Sequence, residues 1–83
     1  MKSRPLYDAV IDALMFLELS DDSVVDPDAA IGIMESIAAH LRDMDAGERR
    51  ELAAYARELA MRSEDPKQGE FLRDLPHSLG VEV

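Results

Sequence analysis

The sequence predicts an all-α fold, a compact bundle of three main helices plus a short C-terminal fourth, in a single domain over residues 1–83. Two observations lead there. Apolar residues recur at three- and four-residue spacing in four segments, each opened by a helix-start signal, and no stretch alternates apolar and polar residues long enough to read as a strand.

The first helix is predicted from about Pro5 to Leu19. Pro5 suits its first turn, where the missing N–H leaves no helical bond unmade. At about 100° per residue, Leu6, Val10, Ala13, Leu14 and Leu17 share one face, read here as the core stripe. Met15, Phe16 and Leu19 fall on another side among Asp8 and Asp12, so this helix is apolar around most of its circumference with acids set into the rim.

Ser20 to Asp26 reads as a loop, and Asp26-Pro27-Asp28 as an N-cap, a first-turn proline and a carboxylate favoured by the helix dipole. The second helix is predicted from about Pro27 to Met44, with Ile31, Met34, Ile37, Ala38 and Leu41 on a broad apolar face and Ile33 and Met44 at its edge. Asp45-Ala46-Gly47-Glu48 has capping-box spacing, so the link to the third helix is tight and the two helices are expected to pack antiparallel. The third helix, about Ala46 to Arg62, has Leu52, Tyr55, Ala56 and Leu59 inside and a lattice of Arg and Glu outside. Ser63-Glu64-Asp65-Pro66 breaks and restarts the chain. The fourth helix is expected to bury Phe71, Leu72 and Leu75 and to stop near Pro76, and Leu79-Gly80 reads as a final latch with a glycine cap.

A chain of 83 residues buries only about 60% of the surface its unfolded form exposes. It has no cysteine, and its two histidines lack metal-clip spacing, so stability must come from helix packing or from association. The absence of cysteine fits a reducing compartment, and Asp8 and Asp12 interrupt what would otherwise resemble a signal segment, so a cytoplasmic location is expected. No stretch reaches the roughly 18 to 20 apolar residues of a membrane span.

The net charge of −9 is unevenly held. Residues 1–45 carry ten acids and three bases, whereas residues 46–83 carry eight acids and six bases. Between Arg4 and Arg42 there is no Lys or Arg, against eight acids. Phosphate binding needs clustered bases, so nucleic acid and anionic membranes are poor partners for the first half, and a cationic protein surface is a good one.

The acids Glu18, Asp21, Asp22, Asp26 and Asp28 invite a calcium reading, but an EF-hand loop needs glycine at its sixth position. Counting from Asp21 the sixth residue is Asp26, and from Asp22 it is Pro27. Asp8 and Asp12 stand one turn apart, yet acid-base catalysis needs a pocket, and a chain this small is not expected to wall off one of several hundred Å3. His40 and His77 read as solvated or helix-capping. No catalytic residue, metal ligand or cofactor is therefore predicted. The predicted partner-binding set is Asp8, Asp12, Glu18, Asp21, Asp22 and Asp28 for charge, with Met15, Phe16 and Leu19 as apolar anchors.

Three blocks, Val24-Val25-Asp26-Pro27-Asp28-Ala29-Ala30, Glu35-Ser36-Ile37-Ala38-Ala39 and the run from Phe71 to Gly80, resemble those of short acidic helical bacterial proteins. In size and charge the chain is similar to immunity proteins that neutralise bacterial toxins. That resemblance implies a non-enzymatic inhibitor that fills the substrate groove of a basic toxin, such as a nuclease, with acid. The alternative expectation is a structural or assembly module, either a helical homodimer or a small subunit of a larger complex.

Overall fold

Aspartates placed just before apolar runs decide where this chain turns. In a computed structural model describing residues 3–78 and 80, four helices follow in order: α1 (Arg4–Leu19), α2 (Pro27–Arg42), α3 (Ala46–Arg62) and α4 (Pro66–Ser78). The Asp26 carboxylate accepts from the Ala29 N–H at 2.9 Å, and Asp45 accepts from Glu48 N–H at 2.8 Å. Asp65 accepts from Lys67 and Gln68 N–H at 2.9 and 3.3 Å. Each cap satisfies donors that the helix cannot pair itself, and loss of such a cap costs about 1 kcal/mol. Among the described residues there is no strand, and no helix is long and apolar enough to cross a membrane.

The bundle's core takes Tyr7, Ile11 and Leu14 from α1, Ala38 and Leu41 from α2, Leu52, Tyr55 and a set of alanines from α3, and Leu72 and Leu75 from α4. The buried face of α1 therefore differs from the stripe read in the sequence. Leu6 is 70% exposed and Ala13 is exposed, while Val10 and Leu17 are half-buried, so the core face is turned by about 80°. The physical reason lies in Tyr7. Its ring offers more area than Leu6 or Ala13, and it docks beside Tyr55 with ring centroids 6.4 Å apart.

Neighbour choice is the second difference. α3 takes α4 as its close companion, and α1 approaches α2 and α4, so α2 does not pack closely along α3 despite the short link between them. Small residues explain this. Ala53, Ala56 and Ala60 line the buried face of α3, and Gly69 of α4 is buried against it, where a Cβ would lie 3.7 Å from Ser63 Cβ and 3.8 Å from the Ala60 carbonyl. Helix axes approach closely where side chains are short, and the hairpin closes there.

The third difference is the length of α4, which runs through Pro76 to Ser78 instead of stopping before the proline. Proline removes one backbone donor, but Pro76 is fully buried beside Leu75, and that burial offsets the lost bond near a helix end. The predicted latch residue Leu79 lies outside the described residues. Gly80 has φ +68°, and its N–H donates to the His77 carbonyl at 3.1 Å, so the glycine cap is present.

The corrected face of α1 makes a direct prediction. Leu14→Ala, at a fully buried site, should lower unfolding free energy by about 2–5 kcal/mol, whereas Leu6→Ala should change it by less than about 0.5 kcal/mol. Urea denaturation of the two variants distinguishes this face from the Leu6 stripe, for which the larger loss would fall at Leu6.

Candidate functional site

Because α3 and α4 close on each other and α2 sides with α1, an open furrow remains between α2, α4 and the C-terminal end of α1. Its volume is about 510 Å3. This concavity is open to solvent and not walled off, and it follows from the pairing of the helices. Apolar side chains of Leu19, Ile31, Met34, Ala38, Phe71 and Leu75 line it. Ile31 is 56% exposed and Leu19 is 40% exposed, so they present apolar surface to solvent and not to the core.

Four carboxylates, Glu18, Glu35, Glu70 and Asp74, stand around that apolar lining, together with Arg42 and Lys67. Among the described residues none of the four makes an ion pair or side-chain hydrogen bond. They are also spread out. No three His, Asp or Glu among the described residues are grouped to hold one metal ion. Carboxylates arranged in this way suit several separate cations better than a single one. At one end the stem of Arg42 lies against the C-terminal turn, where a Cβ on Gly80 would come within 3.2 Å of Arg42 Cδ. A smaller hollow of about 220 Å3 shares Glu18, Ile31 and Met34 with the furrow and carries it around to Asp22.

The predicted partner-binding residues divide between this surface and other tasks. Glu18 and Leu19 line the groove, and Asp22 lines its extension. Asp8, half-buried, serves the fold. Its carboxylate accepts a hydrogen bond from the Tyr55 hydroxyl, which ties α1 to α3, and lies 3.8 Å from Arg4 Nε one turn earlier on α1. Asp21 organises its own loop, accepting from the Ser23 N–H at 2.9 Å and from the Ser23 hydroxyl, while its carbonyl accepts from Val24 and Val25 N–H. Those Ser23 bonds hold the Asp21 carboxyl below the usual carboxylate range. Asp28 is exposed in the first turn of α2, where the helix dipole favours it, and Asp12 is exposed on α1.

The apolar anchors also separate. Met15 is half-buried and packs on the core, Leu19 faces the groove, and Phe16 is 54% exposed but lies outside it. Sequence reasoning missed Glu35, Glu70 and Asp74; it put Ile31 on the apolar face of α2, where it is exposed, and Phe71 inside, where it packs half-buried against the core and also lines the groove. One signal for them was present. The apolar face of α2, from Ile31 to Leu41 with Ile33 at its edge, is broader than one neighbouring helix covers.

The Asp8 bridge is testable by titration. Its hydrogen bond raises the Tyr55 hydroxyl pKa, aided by burial, and burial raises that of Tyr7. A group raised in the fold contributes stability below its unfolded value, about 10 for tyrosine, and loses it as pH rises through the folded value. Tyr55→Phe should cost about 1 kcal/mol at neutral pH and should show a shallower alkaline loss of stability than wild type, measured by denaturation from pH 8 to 12. An equally steep loss in the variant would contradict the bridge. Comparison of the chain with protein-family models, with curated proteins and with solved structures finds no match, so the functional reading rests on this geometry.

Proposed function

We propose that this chain is a non-enzymatic acidic protein-binding module that neutralises a basic bacterial toxin by direct binding, as immunity and antitoxin proteins do. The observation that carries this reading is the open, largely apolar groove that also holds four carboxylates with no ion pair among the described residues, against two bases, Arg42 and Lys67. Apolar lining supplies the contact energy, and the acid around it selects a cationic surface and speeds encounter. The base-free stretch from Pro5 to Leu41 extends the same field over α1 and its loop, which disfavours nucleic acid and anionic membranes as partners. A toxin acting in the cytoplasm is the natural target of a cysteine-free inhibitor.

A second reading, a homodimer or a small subunit of a larger assembly, has one observation in its favour. Phe16 is 54% exposed and outside the groove, beside the exposed Asp12 one turn earlier. A sedimentation series settles the homodimer, because a strict monomer across concentrations removes it.

Capture from the native cells with wild type and with a Glu18→Lys/Asp22→Lys variant tests the leading reading. The partner retained by wild type should be basic, should be released by raised salt, should be lost with the variant, and should have its activity suppressed when the wild-type protein is added. A neutral or acidic partner, or one held equally by the variant, would contradict it.

A further inference from the structure

We infer that the groove's occupant is a basic amphipathic helix of about three turns, presented by the cationic partner; this rests on the protein-binding reading above. Three features of the groove point to a helix over other shapes. The floor formed by Leu19, Ile31, Met34, Ala38, Phe71 and Leu75 offers no backbone partners, so a backbone laid against it is favoured when it satisfies its own hydrogen bonds. A helix does so internally. An extended peptide usually gains its affinity by pairing with a sheet edge, and among the described residues there is no strand to pair with.

The dimensions agree. The α2 wall runs from Ile31 to Arg42, roughly 17 Å at 1.5 Å per residue, which is the length of about three helical turns. Two helices already form the walls, and a third laid along the furrow would pack on both through its side chains at i, i+3 or i+4, and i+7. Met34 and Phe71 are suitable receiving residues, one adaptable and one a large flat anchor.

Charge complementarity names the chemistry. Glu35 on the α2 wall and Glu70 and Asp74 on the α4 wall, with Glu18 at the end of α1, outnumber Arg42 and Lys67 on the same walls, so an occupant helix meets carboxylate from both sides and a net negative groove. Lys and Arg beside the apolar stripe match that pattern. A second copy of this chain matches it less well, because the groove carries four carboxylates against Arg42 and Lys67 and each copy has a net charge of −9.

The probe is a synthetic amphipathic peptide of about three to four turns, with Leu at i, i+3, i+4 and i+7 and Lys between, and a permuted peptide of the same composition is the control. Amide shifts of the labelled full chain should move around Ile31, Glu35, Glu70 and Phe71. The permuted peptide should bind at least roughly tenfold more weakly, and Ile31→Asp and Glu35→Lys, both at exposed sites, should each weaken the patterned peptide by a similar factor. Phe16→Asp should leave binding unchanged. Shifts centred on Phe16 and Asp12, or equal binding of the two peptides, would overturn the helix-in-groove inference. Salt-sensitive binding that ignores the groove variants would overturn it as well while leaving an acidic protein-binding module standing. Failure of both peptides at low salt, together with no basic partner captured from cells, would overturn both.

Discussion

Where Gly69 of α4 comes against Ala60 of α3 and the Ser63 cap that follows it, no long side chain separates the two helices, and the rest of the bundle is arranged around that close seating. With α3 and α4 closed on each other, the large core residues of α1 pack over the pair, led by Leu14, Ile11 and the Tyr7 ring beside Tyr55. α2 then has α1 as its near neighbour and stands off from α4. The groove is the consequence of that geometry. It also accounts for the apolar surface left on Ile31 and Leu19, which would be core in a bundle whose second and fourth helices met.

The acids of this chain do three kinds of work. Asp26, Asp45 and Asp65 start helices, and Asp8 and Asp21 hold α1 to α3 and shape the loop after it. The carboxylates around the groove have no such task. A net charge of −9 on 83 residues acts against the compact state through self-repulsion. The groove carboxylates, which outnumber Arg42 and Lys67 there, add to that repulsion, and the basic amphipathic partner proposed above would offset both that and the exposed apolar surface.

Local features were legible in the sequence and non-local ones were not. The Asp caps and both Asp-Pro starts could be placed to the residue, because a cap depends on atoms within three positions of it. The end of α2 could be placed to within two residues, at Arg42 in place of Met44, as is usual where the last turn tightens. The core face of α1 could not be chosen correctly, since apolar residues lie on most of its sides and only the Tyr7–Tyr55 contact selects among them. Likewise the length of α4 depends on the burial of Pro76, and the groove on which helices become neighbours. Glu18, Leu19 and Asp22, singled out from charge and pattern, line the groove or its extension, whereas Glu70 and Asp74 reach the groove only because the fold brings α4 to its other side.

Solvent access to the groove lining tests this arrangement most directly. With methyl-labelled protein and a soluble paramagnetic probe, the Ile31 and Leu19 methyls should relax nearly as strongly as those of the exposed Leu6 and Met61, while the Leu14 methyls stay unaffected. Protection of Ile31 and Leu19 to the level of Leu14 would mean that α2 and α4 close on each other or that a second copy covers them, and the open acid-rimmed groove would then not exist in solution.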